Sequence, residues 1–508
     1  MIDDVDVCVV GSGFGGGPAA LRSAEQGASV AVLEQGRRYD GRPGSEEFRQ
    51  TQTDFGYLLD LFQVSAGLSP GGTAGSVVLG GRGLGGGSLV YSMVSLRAPS
   101  FVFDDPVWPD GMDRAALDPY YDRAESQLGV VQLGWDGRPG IDDWRTNAKR
   151  DAAFATMCER AGVSCDTVPS AVNTECGNLG WCTTGCIRHG KNSVDLRYMQ
   201  PAEDLGARIH TGIHVVRVEP AAPSTHRRWR VVCDTGEVLA DHVVLSAGAV
   251  GTPAVLLSSI GALPGGISPH VGHNLSRGGD MLIPVVLPED LGLDGMEMLP
   301  GKVIGSCSFQ YLFEPPPGFG PDWPRFVLQP MMVLPMISAM LTADPDGLGP
   351  DGDMRSFGEH QKHLMRHWGD RLLHVGVMGM DGMDGTVELL AGIPFVHFET
   401  SPATARLFAA ARAAVHHIFD RGPGGRALPS MDELRDDSMA LHPLGSARMA
   451  DSVGEGAVDP DGRVFRADGT VHDGLVVADA SLMSSPIAVN TSLTTAALSE
   501  WVTERMLA

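Results

Sequence analysis

The stretch VDVCVVGSGFGGGPAALRSAEQGASVAVLEQGRR, Val5 to Arg38, runs from apolar residues into a cluster of glycines and ends a second apolar run on a lone carboxylate, Glu34. Asp6–Val10 is short, apolar and β-branched, the pattern of a strand buried on both faces. Gly11–Gly16 reads GSGFGG, a G-x-G-x-x-G spacing, and PAALRSAEQG suits a helix of small residues closed by Gly27. Ser29–Glu34 is a second strand, which completes one βαβ unit. In such a unit Gly11 permits the turn, Gly13 lets the backbone approach a pyrophosphate, and Gly16 lets helix and strand pack closely. Ser12, Phe14 and Gly15 share that loop, whose free N–H groups sit at the positive end of the helix and attract phosphate. Glu34 stands about 20 residues on, where a carboxylate accepts both ribose hydroxyls and repels a 2′-phosphate. A bare glycine motif also suits a simple turn beside a surface glutamate; the surrounding strand–turn–helix–strand pattern favours a dinucleotide.

The chain has 508 residues, enough for two domains or an interleaved pair. Apolar residues make up 43% and charged residues 20%, a globular composition. A net charge of −24 argues against nucleic acid and anionic membrane as partners. No apolar run reaches the ~18 residues of a membrane span; Pro330–Leu341 comes nearest and Pro335 interrupts it. Structure is expected from Val5 onward without a basic lead or cleavage site, so a cytoplasmic location is expected. Eight cysteines fit that location if most are reduced.

A second glycine cluster, GGRGLGGGSLVYSM (Gly80–Met93), runs straight into apolar sequence that pins it to a core. So much glycine lets main-chain N–H groups wrap a flat ring or a diphosphate. GRGLGGGSLV followed by Met93 resembles the flavin-contacting loop of the glucose–methanol–choline (GMC) oxidoreductases, most similar to the bacterial cholesterol oxidase branch. Val243–Gly261 (VVLSAGAVGTPAVLLSSIG), His442–Met449 (HPLGSARM) and Gly474–Met506 resemble three further family segments, in the family's order. The stretch from about Ala262 to Ala440 matches weakly.

The resemblance implies an α/β fold: an FAD-binding Rossmann-type domain interleaved with an α+β substrate domain, its sheet over the flavin and helices behind. The expected division is residues 1–98, 190–300 and 440–508 for FAD and 99–189 and 301–439 for substrate. It implies FAD as cofactor, a small-molecule alcohol as substrate, and O2 or another electron acceptor. Expected cofactor contacts are Gly11–Gly16, Glu34, Gly83, Gly85, Gly86, Gly87, Ser88, Tyr91, Ser92, Met93, Val216, Ala247, Gly248, Asp479, Ala480, Asn490, Thr491 and Ser492. Tyr91 stands where cholesterol oxidases tend to carry asparagine. Asp479 beside a diphosphate makes sense only if its carboxylate accepts N–H or hydroxyl hydrogens.

Oxidising an alcohol removes a hydride from carbon and a proton from oxygen. His442, before PLG, is the expected base, since a neutral imidazole accepts a hydroxyl proton near pH 7. Asn490 is its expected partner, donating to the substrate oxygen; the usual following proline is Thr491 here, and Asn490 also reads as a helix cap. A lyase of the hydroxynitrile type on this fold, a non-catalytic flavin protein and an NAD(P)-dependent dehydrogenase are the alternatives.

Helical spacing marks Asp113–Val130, Asp143–Gly162 and Ser401–Gly422, and Pro394–Glu399 reads as a strand. Met331, Met332, Met336, Met340, Met378, Met380 and Met383 suit either ordinary core or an adaptable apolar pocket. The pocket reading implies a bulky, largely apolar secondary alcohol, steroid-like or a natural-product intermediate. Glu359 and Glu388 lie in the weakly matching region with no motif around them. Cys176, Cys182 and Cys186 fit no common zinc spacing, and no metal site is expected; packed thiols are favoured over a disulfide.

Overall fold

In the computed structural model, the described residues are 2–40, 48, 55–68, 75–134, 149–292, 301–333, 342, 371–430 and 438–508. Met336, Met340, Glu359 and residues 143–148 of the second expected helix lie outside them.

The opening unit forms as its sequence dictates. Strand β1 (Asp3–Val10), helix α1 (Gly16–Glu25) and strand β2 (Val30–Glu34) follow one another, with every residue of β2 buried. β1 begins at Asp3 rather than Asp6 because Asp3–Val5 pair in parallel with Val238–Ala240. The main sheet runs Arg463–Phe465, Val471–Val477, Glu237–Leu245, β1, β2, Arg208–Thr211, and the last five are parallel neighbours. Both faces are covered, which explains why these strands read as unbroken apolar runs rather than alternating ones.

The last helix, Ser492–Leu507, packs on α1 behind the glycine turn. Ser499 donates its hydroxyl to the Gly15 carbonyl at 2.5 Å, and Glu500, fully buried, pairs with Arg22 of α1 at 2.8 Å. The two ends of the chain are thereby locked together beneath the phosphate-binding loop.

A second sheet is antiparallel: Phe326–Met331, Leu372–Gly379, Met281–Val286, Arg426–Ala427. Its side chains alternate. Phe326, Leu328, Met281, Ile283, Val285, Leu373, Val375 and Val377 pack on helices Lys149–Ala161 and Pro402–Phe419. Gln329, Met331, Leu282 and Met378 take the other face, because successive residues of a strand point to opposite sides. The expected layering, helices behind a sheet, is therefore present. The strand Met281–Val286, which the sequence reading groups with residues 190–300, pairs into this second sheet.

The three helical patterns appear as Arg114–Leu128, Lys149–Ala161 and Pro402–Phe419, and the expected strand as Ile393–Phe398. All eight cysteines are free thiols, Cys176, Cys182 and Cys186 among them. Among the described residues no helix is long and apolar enough to cross a membrane.

Candidate active site

A cavity of about 720 Å3 lies between the glycine turn, the second glycine loop and the inner face of the second sheet. This size falls within the ~300–1,000 Å3 of small-molecule and cofactor sites. Gly11, Ser12, Gly13, Phe14, Gly15 and Glu34 line it, as do Gly86, Gly87, Tyr91 and Ser92 of the second loop. Val216, Ala247, Gly248, Asp479, Ala480, Thr491 and Ser492 complete the expected cofactor wall, and His442 and Asn490 open onto the same space.

Backbone geometry explains the glycines. Gly11 has φ +93, and a Cβ there would meet the Ser246 carbonyl oxygen at 2.3 Å. The two glycine loops touch: a Cβ on Gly86 would meet Gly13 Cα at 2.8 Å. Ser12 joins them chemically, donating to Glu34 Oε2 at 2.5 Å while accepting the Gly85 N–H at 3.0 Å. Glu34 Oε1 accepts the Gly36 N–H at 2.7 Å, and burial pushes the Glu34 carboxyl above its ordinary value.

Five residues expected at the cofactor do not line the cavity. Gly16 is required by packing, since a Cβ would strike the Gly11 carbonyl oxygen at 2.0 Å. Gly83, Gly85, Ser88 and Met93 shape the second loop instead. Gly83 and Gly85 hold φ +144 and +108, and Met93 is left-handed at φ +67, with its carbonyl accepting from Ala171. The Ser88 hydroxyl donates to the Gly85 carbonyl at 2.7 Å and accepts the Val194 N–H at 2.9 Å.

Asp479 behaves as its awkward place beside phosphates requires. Its carboxylate accepts the Gly248 N–H at 2.7 Å, the Thr252 hydroxyl at 2.6 Å, and the Ser481 N–H and hydroxyl at 2.8 and 2.5 Å. Burial raises its carboxyl against the pull of those bonds. Tyr91 turns its hydroxyl away, donating to the Asn192 carbonyl at 2.6 Å, and sets its ring edge-on to Phe14 with centroids 5.0 Å apart.

His442 and Asn490, 48 residues apart in sequence, meet: Asn490 Nδ2 lies 3.2 Å from His442 Nε2. His442 Nδ1 lies 2.7 Å from Asp280 Oδ1. Asp280 Oδ2 accepts the backbone N–H groups of Leu441 at 2.5 Å and His442 at 2.7 Å. A carboxylate so occupied is an acceptor, so Nδ1 carries the imidazole proton and Nε2 presents its lone pair to the cavity. Burial works to lower the His442 imidazole, but the Asp280 charge and hydrogen bond outweigh it and the ring sits above its ordinary value.

Asp280 escaped the sequence reading. Its signal is the turn SRGGD, where Gly278 and Gly279 hold φ +72 and +67 directly before a buried strand. A Cβ on Gly278 would meet the His442 carbonyl oxygen at 2.8 Å, so glycine there is what brings the turn against the histidine.

Asn490 is no helix cap: the cap position of the last helix is Thr491, without a side-chain bond. Its amide instead spans three groups, His442, Met378 Sδ at 3.2 Å from Nδ2, and Gln329 Nε2 at 2.9 Å from Oδ1. Met331 and Met332 line the cavity with Leu282, Ile304 and Val78. Glu388 is exposed on its strand and supplies no carboxylate here.

The residues present fit FAD. Glycine backbone stands open to the cavity, a Cβ on Gly87 or Gly248 meeting nothing within 4 Å, and one space connects Glu34 and Val216 with His442 and Asn490. This fold and site define an FAD-dependent oxidoreductase. Comparison with known proteins narrows the class: the GMC oxidoreductase models match residues 58–277 and 384–499, and an FAD binding domain model matches 6–43. The chain belongs to the GMC oxidoreductase family, and it is an FAD-dependent alcohol oxidoreductase.

A cholesterol oxidase of Mycobacterium tuberculosis is 26% identical over 98% of this chain and 90% of its own length. The match to a cholesterol oxidase of Acinetobacter baumannii, also 26%, spans 60% of this chain and 59% of that protein. A long-chain-alcohol oxidase of Arabidopsis thaliana is 25% identical over 96% of this chain and 65% of its own length. Pyridoxine 4-oxidase from Mesorbium loti superposes with a TM-score of 0.69 at 17% identity, covering 98% of both chains.

Proposed function

We propose that the chain oxidises the CH–OH group of a bulky, largely apolar secondary alcohol to a carbonyl, with His442 as base and Asn490 as the orienting donor. One observation carries this reading: His442 Nε2 and Asn490 Nδ2 converge at 3.2 Å on the cavity while Asp280 holds the far side of the ring. When bound, FAD supplies the hydride acceptor. The substrate hydroxyl replaces Asn490 on the Nε2 lone pair: His442 Nε2 takes the hydroxyl proton, and the N–H that Asn490 Nδ2 had turned to the imidazole donates to the same oxygen, which holds the carbinol carbon in one orientation. The expected cofactor residues that line the cavity are proposed as its contacts.

The substrate class rests on the lining of Val78, Leu282, Ile304, Met331 and Met332, where flexible thioethers adapt to an apolar body. The relatives named for cholesterol and for long-chain alcohols agree with it. O2 or another acceptor takes the electrons afterwards.

An anaerobic screen of alcohols, from sugars to sterols, tests the reading by bleaching of the bound cofactor. Bleaching by apolar secondary alcohols supports it. A lyase would leave the colour unchanged, and selective bleaching by sugars would overturn the substrate class. His442→Ala should slow reduction by ~10²–10⁴-fold while retaining FAD. Unaltered reduction in that variant ends the assignment.

A further inference from the structure

We infer that Gln329 is a positioning residue that fixes which end of the Asn490 carboxamide faces the reacting oxygen. This rests on the proposed roles of His442 and Asn490.

A carboxamide is nearly symmetric in shape, yet only its nitrogen donates. With Oδ1 turned inward, Asn490 would set an acceptor against the His442 Nε2 lone pair and against the substrate oxygen. The orientation is therefore decided by whatever holds the outer end. That group is Gln329, wholly buried in the second sheet, whose Nε2 donates to Asn490 Oδ1 at 2.9 Å.

The polarity runs in one direction through four side chains. Asp280 accepts from His442 Nδ1; His442 Nε2 accepts from Asn490 Nδ2; Asn490 Oδ1 accepts from Gln329 Nε2. Each donor fixes the next, beginning at a carboxylate already engaged by two backbone N–H groups. Gln329 Nε2 also reaches Cys307 Sγ at 3.7 Å, while its Oε1 is buried with no hydrogen-bond partner among the described residues. An amide kept in the core with its acceptor unused is poor as a stabilising device, since an unmade buried bond opposes folding. It is well suited to a device whose value lies in its donor. The strand places it: Gln329 sits on the face opposite Phe326 and Leu328, so the sheet that walls the substrate space also orients the amide over it.

Two variants of the FAD-loaded enzyme test this. Gln329→Met keeps the length and loses the donor; it should lower kcat by about tenfold, the worth of one hydrogen bond. Gln329→Glu donates as a neutral acid and accepts once ionised, so its kcat should fall through a step with rising pH that the parent lacks. In an Asn490→Ala background Gln329→Met should add nothing, and the 15N resonances of the His442 imidazole should titrate differently in Gln329→Met from the parent. Should Gln329→Met fail to hold FAD, the pH profile of Gln329→Glu carries the test alone. Unchanged kcat and imidazole titration, or a parental pH profile in Gln329→Glu, would overturn this inference. An Asn490→Ala enzyme with unchanged kcat would instead remove the proposed function beneath it.

Discussion

Replacing Asp280 by asparagine should reverse the histidine. Asp280 Oδ2 accepts two backbone N–H groups, from Leu441 and His442, while Oδ1 faces the His442 Nδ1 at 2.7 Å. Asparagine must keep its oxygen on the two N–H groups, because its NH2 would clash with them. The NH2 then faces Nδ1, which has to become an acceptor, and the imidazole proton moves to Nε2. There it meets Asn490 Nδ2 at the distance of a hydrogen bond, donor against donor. The base is blocked in the tautomer needed for turnover, and a loss of ~10²–10⁴-fold in kcat is expected; the corresponding change in a Ser-His-Asp triad costs about 10⁴.

The pH dependence has a definite sign. Asp280 raises His442, so the alkaline-side activity of the parent begins above the ordinary histidine value, and in Asp280→Asn the remaining activity should begin at lower pH. The same shift bears on stability. Because the folded value is raised, the pair stabilises fully below the unfolded histidine value and loses that contribution as pH rises through the folded one. Rapid-mixing measurement of anaerobic cofactor reduction between pH 5 and 10, with denaturant titrations at the same pH values, reads both effects. A variant with the parental rate and profile would show that Asp280 has no hold on the tautomer.

Two further outcomes test the frame of the site. Gly86→Ala puts a Cβ 2.8 Å from Gly13 Cα at φ +54, so the glycine loops must part; the purified protein should carry markedly less FAD by absorbance, and full loading would refute their close approach. Arg22→Ala leaves the fully buried Glu500 with Arg123 at 3.4 Å as its remaining guanidinium. Removing one partner of a buried pair costs ~3–5 kcal/mol, to be read as a lower denaturant midpoint, and a midpoint unchanged from the parent would mean the helices are held by apolar packing alone.

Local chemistry was legible in the sequence wherever it depends on neighbours in the chain. The βαβ unit, its turn glycines and Glu34 at the end of β2 all follow from patterns a few residues long, where backbone sterics and strand burial act directly. The family motifs carried His442 and Asn490 to one cavity although 47 residues separate them. Within the second glycine loop the sequence does not separate the glycines that line the cavity from those that serve turns and packing, because they look alike.

What the sequence by itself determined is the dinucleotide unit and the identity of the chemical groups. Tertiary structure alone decided their polarity. Asp280 and Gln329 lie 162 and 161 residues from the side chains they hold; the double-glycine turn marks Asp280 as special without naming its partner, and nothing local distinguishes Gln329 from other core polar residues. The physical reason is that hydrogen-bond direction is set by the partner on the far side of a group, and here every such partner arrives from another strand or turn of the fold.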